Sequence, residues 1–173
     1  MFIEISVCKM NFVARLLSIV KKHKNASLLR QYAELSSDAI LRPSFKLRLD
    51  NPVSDRKYLY ISKDSIVGAT CVFESKEGQI TIGEHSYVGA STLISRSSIE
   101  IGNNVTIAWG STIYDHDSHS TDYMQRRKDI DDELECLRNG RNFIQTKNWS
   151  QVCTKPIKIC NDVWIGMNCI ILK

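Results

Sequence analysis

Proline and glycine are scarce in this chain, with three prolines and eight glycines among 173 residues. That excludes a collagen-like or proline-rich extended polymer. No run approaches the roughly 18 consecutive apolar residues that a membrane-spanning helix needs. The opening segment Met1-Phe2-Ile3-Glu4-Ile5 mixes charge with apolar residues and lacks a small-residue cleavage site, so it does not read as a secretory signal. Charge of one sign is also missing. The 23 basic and 19 acidic residues alternate, the net charge is only +4, and no basic run is dense enough to argue for nucleic acid. There are six cysteines, Cys8, Cys71, Cys136, Cys153, Cys160 and Cys169, but no Cys-x-x-Cys pair. A zinc ribbon and a disulfide framework are therefore disfavoured, and the thiols read as reduced and mostly buried in a cytoplasmic protein.

Two patterns are present. Over residues 12–35, Phe12, Val13, Leu16, Leu17, Ile19, Val20, Leu28, Leu29 and Tyr32 recur at helical steps, interrupted by Lys21-Lys22-His23-Lys24. This predicts a helical arm and linker over residues 1–55. A basic amphipathic helix there also suits weak contact with an anionic membrane surface.

From residue 59 onward the period becomes six. An aliphatic or aromatic residue opens each hexapeptide: Ile61, Val67, Phe73; Ile82, Val88, Ile94; Ile101, Ile107, Ile113; Ile159, Ile165, Ile171. Self-similarity of this kind outranks local propensity and predicts a stack of short strands and turns, a parallel β-helix over residues 56–173. A small residue often follows the aliphatic one, as in Gly68, Gly83, Gly89, Gly102, Ala108 and Gly166, where the backbone angles of a corner would favour glycine. The fifth position is expected to point inward: Ser65, Cys71, Ser86, Thr92, Val105, Ser111, Val163 and Cys169. The spacing between coils slightly exceeds three hexapeptides, and Lys76-Glu77-Gly78 absorbs one surplus at a corner.

One interval breaks the rule. Between Ile113 and Ile159 the chain leaves the coil, predicting an excursion loop over 120–156 with a short helix near Arg126–Leu134. Loops this long in compact domains are usually functional or disordered. At its entrance stands Tyr114-Asp115-His116-Asp117-Ser118-His119-Ser120. An imidazole accepts a hydroxyl proton at neutral pH, and a carboxylate on its other nitrogen fixes the tautomer. The segment Ile171-Leu172-Lys173 opens a further hexapeptide and stops, which reads as a C-terminus truncated within a coil.

Four segments together resemble the hexapeptide-repeat O-acetyltransferases. They are Ile101-Gly-Asn-Asn-Val-Thr-Ile-Ala-Trp-Gly110, Tyr114-Asp-His-Asp-Ser-His119, Lys155-Pro-Ile-Lys-Ile159 and Asn161-Asp-Val-Trp-Ile-Gly166. The relatives include the maltose and galactoside enzymes and those that decorate O-antigen, capsule and exopolysaccharide sugars. The resemblance implies a left-handed β-helix, a homotrimer with active sites between subunits, and acetyl-CoA as co-substrate with no metal. It also implies direct attack of a sugar or glycan-precursor hydroxyl on the thioester, with no acyl-enzyme. Carried over, His116 is the expected base and His119 the alternate, with Asp115 and Asp117 as orienting carboxylates. Trp164 and Met167 correspond to positions near the cofactor, and coenzyme A would extend along coils beyond residue 173. Two alternatives stay open at this level: a trimeric scaffold without turnover, and a zinc enzyme like the γ-class carbonic anhydrases using His85, His116 and His119.

Overall fold

The computed structural model describes residues 25–173. Residues 12–24 of the expected helical arm, with the basic cluster that suggested membrane contact, lie outside the described residues. Residues 25–32 are helical (α1) and lead directly into strand β1, Ala33–Leu35.

From there the chain winds through fifteen short strands in repeating triplets. The first sheet stacks β1, β4 (Leu59–Ile61), β7 (Ile80–Ile82), β10 (Ile99–Ile101) and β13 (Ile157–Ile159). The second stacks β2 (Ile40–Leu41), β5 (Ile66–Val67), β8 (Tyr87–Val88), β11 (Thr106–Ile107) and β14 (Trp164–Ile165). The third stacks β3 (Lys46–Leu49), β6 (Thr70–Phe73), β9 (Thr92–Ser95), β12 (Thr112–Tyr114) and β15 (Ile170–Leu172). All pairings within the sheets are parallel, and the arrangement matches a left-handed β-helix. Among the described residues no helix is long and apolar enough to cross a membrane.

Inward columns explain the six-residue rule. Leu35, Ile61, Ile82, Ile101 and Ile159 align in the first sheet, and Leu41, Val67, Val88, Ile107 and Ile165 in the second. The third column is Leu47, Cys71, Leu93, Ile113 and Ile171. Strand residues alternate between core and solvent, so these columns fill the axis and their neighbours face out. Two sequence assignments are thereby corrected. Leu93, fully buried, takes the axial place expected for Ile94, and Cys71 takes that expected for Phe73. The second corner is one residue shorter before Leu93 and two residues shorter before Cys71 than in the other coils; the one-residue slip turns Ile94 outward, whereas the two-residue slip keeps Phe73 on the inward face. Phe73 is also buried, but two residues further along the strand, where it packs at 5.3 Å against Tyr58. Burial of the axial thiol pushes the Cys71 pKa up to about 12, so it is a filler and not a nucleophile.

The expected helical arm to residue 55 is likewise corrected. Residues 33–49 form the first coil, whose Leu35, Leu41 and Leu47 carry the same spacing but are followed by Ser36, Arg42 and Arg48 instead of glycine or alanine. Cys153 and Cys160 are exposed, contrary to the expectation of mostly buried thiols.

The role of the small residues also differs from expectation. The left-handed backbone conformation at the first corner falls on Asp64, His85, Asn104 and Asp162, not on glycine. Gly83 and Gly102 are required for close stacking of coils. A Cβ on Gly83 would stand 2.5 Å from the carbonyl carbon of Gly102, and one on Gly102 would stand 2.8 Å from the Asn161 nitrogen. These neighbours are backbone and cannot swing aside. Gly102→Ala is expected to cost about 1–3 kcal/mol, the usual scale of overpacking. A thermal melt in which this variant equals the parent would contradict that account.

Buried serines knit the remaining corners. Ser65 Oγ donates to Gly83 O at 2.6 Å and accepts from Ser86 N; Ser86 Oγ donates to Gly102 O at 2.9 Å and accepts from Val105 N. At the second corner Ser91 and Ser111 repeat the device, ending at Cys169 N. Ser91, not the expected Thr92, is the inward residue there. Each hydroxyl satisfies a carbonyl and an amide that the tight turn would leave buried without partners.

The third corner receives all the surplus chain. Residues 50–58, 74–79, 96–98 and 115–156 leave the helix there. The Arg56 guanidinium gathers the carbonyls of Lys76, Glu77 and Gly78, fastening one such loop to the next. The longest contains α2 (Tyr123–Arg138), α3 (Phe143–Thr146) and a single 3-10 turn at Trp149–Gln151.

Candidate functional site

The excursion begins where β12 ends. Asp115, fully buried, turns its carboxylate back to the preceding coil and accepts from Ser95 Oγ (2.8 Å), Arg96 N (2.7 Å) and Ser97 N (2.8 Å). Its carbonyl accepts from Thr154 Oγ1 (2.8 Å) and Lys155 N (3.0 Å) on the returning chain. Burial pushes its pKa up, opposed by those side-chain and amide donors. Asp115 therefore clamps the two ends of the excursion to the coil. It does not orient a histidine.

His116 points into the protein. Its side chain is fully buried between the rings of Tyr114 (4.6 Å) and Trp149 (5.6 Å). Neither ring nitrogen has a hydrogen-bond partner. Nε2 approaches Glu74 Oε2 at 3.4 Å, close enough for charge to be felt but without hydrogen-bond geometry. Desolvation, with the Arg96 charge second, pushes the His116 pKa down to about 4. Burial pushes the Glu74 carboxyl up against the pull of Arg48. The imidazole is thus neutral at pH 7, and its contact with Glu74 is not an ion pair.

His119 has the opposite setting. Ser118, with φ +61°, turns the chain outward, and the His119 side chain is 47% exposed. Its Nδ1 lies 2.7 Å from Asp129 Oδ2, on the body-facing side of α2. The Nζ of Lys147, a side chain only 2% exposed, stands 3.3 Å from the same oxygen and 3.3 Å from the imidazole Nδ1. A ring nitrogen donating to Asp129 has no lone pair for lysine, so the carboxylate is the shared acceptor. The Lys147 ammonium also lies 5.2 Å and 5.1 Å from the Phe143 and Trp149 ring centres. Aromatic faces and a carboxylate make a buried ammonium tolerable.

Local sequence explains why α2 reaches this point. Asp122 caps it by accepting from Met124 N at 2.9 Å, and Arg126 Nη1 donates to the carbonyls of Ser120 (2.8 Å) and Thr121 (2.7 Å). The helix start is therefore stapled to the residue after His119. Farther along, Arg141 N donates to Cys136 O at 2.8 Å and turns the chain toward α3 and Lys147.

None of the other expected residues hydrogen-bonds the ring of His116 or His119. Asp117 pairs with Lys173 Nζ at 3.0 Å. That pairing pushes the Lys173 pKa up. Trp164 (79% exposed) and Met167 (59%) lie on the second sheet and the second corner, beside exposed Trp109. His85 lies at the first corner, its Nδ1 at 3.0 Å from Asn104 Oδ1. Among the described residues no group of three or more His, Cys, Asp or Glu is arranged to hold a metal ion.

Sequence reasoning did not single out Glu74, Arg96, Asp129 and Lys147 as site residues. Glu74 comes from the second coil, Arg96 from the third and the other two from the excursion, so no local motif joins them. A carboxylate on the body-facing side of a helix starting soon after His119 was the one available signal, and it needed the helix start at Asp122 to be recognised.

Residues 79–115 match the family model described as the hexapeptide repeat of succinyl-transferase. No curated protein matches the chain, and neither does any solved structure. The family match and the β-helix together support a hexapeptide-repeat transferase, with activity of the acyltransferase kind.

Proposed function

We propose that the chain transfers an acetyl group from acetyl-CoA to a hydroxyl of a sugar or polysaccharide precursor, with His119 as general base. The observation that carries this reading is the 2.7 Å contact between His119 Nδ1 and Asp129, which leaves Nε2 as the free acceptor on a half-exposed side chain. Asp129 holds the tautomer and offsets the charge that develops on the ring, while Lys147 keeps the carboxylate in place. The sugar class rests on the resemblance carried by Tyr114–His119, Lys155–Ile159 and Asn161–Gly166.

In the step itself, Nε2 takes the acceptor hydroxyl proton as the oxygen attacks the thioester carbonyl. The C–S bond breaks, an ester forms, and the departing thiolate receives the proton from the imidazolium. His116, the first choice from sequence, is replaced in this role because its buried, unpartnered ring has no route to an acceptor. It braces the excursion against Glu74 and Trp149 instead.

Trp164 and Met167 offer an exposed apolar surface suited to the cofactor. They lie away from His119 in the same chain, so the reading places a neighbouring subunit's copy of that surface beside each histidine, as in a cyclic homotrimer. Calorimetry with acetyl-CoA and acceptor-dependent release of free thiol test the proposal together. Binding with thiol release across a panel of sugar acceptors is expected; neither binding nor release by the assembled protein would overturn it.

A further inference from the structure

The surface of α2 is inverted relative to an ordinary packed helix. Its inward side carries Gln125, Asp129 and Cys136, of which only Cys136 is buried. Its outward side carries Tyr123, Ile130, Leu134 and Leu137, exposed by 59, 59, 43 and 67%. A solvated helix normally shows the reverse. An isolated helix of 16 residues is marginal in water, so its apolar side contributes little to holding it unless something covers it.

The exposed side has a regular form. Tyr123, Arg127, Ile130, Leu134 and Leu137 alternate steps of four and three, the a/d spacing of a coiled-coil seam. Assigning Arg127 and Leu134 to a places Ile130 and Leu137 at d. Arg126 and Glu133 then fall at g, and Asp131 and Arg138 at e. In a parallel pair, each g residue meets the e residue of the following heptad in its partner. Arg126 would meet Asp131, and Glu133 would meet Arg138. Both contacts join opposite charges, and both recur by symmetry on the other side. Two identical helices are thus complementary in apolar pattern and in charge when they run the same way.

We infer that α2 is a self-association surface whose occupant is the α2 helix of a second copy of this chain, in parallel orientation. Arg127 at an a position stacks over Tyr123 at 5.4 Å and serves as the register-setting polar residue. The inference does not depend on the acetyltransferase reading. The two are linked only in that Asp129 projects from the side of α2 opposite the seam, so pairing would also steady the carboxylate that holds His119.

Disulfide trapping tests this in the full chain, with Cys8, Cys153, Cys160 and Cys169 replaced by serine. Parallel pairing brings Leu134 of both copies together, so Leu134→Cys should form a cross-linked dimer under mild oxidation. Glu135→Cys, on a side chain 67% exposed but off the seam, should cross-link at least tenfold more slowly. Equal rates at the two positions would overturn the proposal. So would trapping that requires mixing Ile130→Cys with Leu134→Cys, the signature of antiparallel helices. As a second measure, Glu133→Arg should slow trapping at Leu134→Cys, and adding Arg138→Glu should restore it; failure of that rescue would refute the charge pairing. None of these readouts involves acetyl transfer, so their failure and that of the proposed activity are separable.

Discussion

Replacing His119 by alanine is expected to lower acetyl transfer by about two to four orders of magnitude, the usual worth of a general base. The loss should appear in kcat with acetyl-CoA binding retained, because the imidazole acts on the acceptor proton. Asp129→Asn should lower kcat too, and it should also lower the melting temperature, because it strips the buried Lys147 ammonium of its carboxylate. The amide can hold the ring by accepting from Nδ1–H, but it no longer offsets the positive charge developing on the imidazolium. The discriminating comparison is His116→Phe, which keeps an aromatic ring between Tyr114 and Trp149. It should retain most of the transfer activity. Retained activity in His119→Ala with loss in His116→Phe would return the base to His116.

His116 should instead reveal itself in the acid stability of the protein. Its folded pKa is about 4, against an ordinary value of 6.5. Between those values the unfolded chain takes up a proton that the folded chain refuses. Stability is therefore full above pH 6.5 and is lost as the pH falls toward 4. At pH 5 the expected loss from this group is about 2 kcal/mol, which for a domain of this size lowers the melting temperature by about 4–8 °C. Glu74, whose pKa is raised, acts in the other direction: its protonation favours the folded state on the acid side of its folded pKa. Both partners contribute to the wild-type curve, so the difference between wild type and His116→Phe isolates the histidine. The variant should lose less melting temperature than the wild type between pH 7 and pH 5. Parallel curves would mean that the ring is not held neutral by burial.

The β-helix was legible because its physics is local and repeated. An axial side chain recurs with each face, and Ile101, Ile107 and Ile113 sit where that rule puts them. The first coil was not legible although Leu35, Leu41 and Leu47 obey the same spacing, because Ser36, Arg42 and Arg48 stand where the other coils mostly carry glycine or alanine. Ile94 was misplaced because the second corner of its coil is one residue shorter, a deletion that leaves the apolar content unchanged. The two histidines were legible as a cluster at the break in the repeat. Their separate environments were not, since Glu74 and Asp129 reach them from a different coil and from α2.

The gathering of every surplus residue at the third corner divides the molecule into a fixed frame and a variable margin. A residue inserted between Ile101 and Val105 would push the later strands of that coil out of the inward columns. A residue inserted among 139–142, between α2 and α3, would pass unnoticed by the sheets. The frame can therefore stay constant while new chemistry is tried along one edge. Because successive coils are spaced by about 4.8 Å, groups from different excursions arrive there at molecular contact distance without any of them being neighbours in sequence.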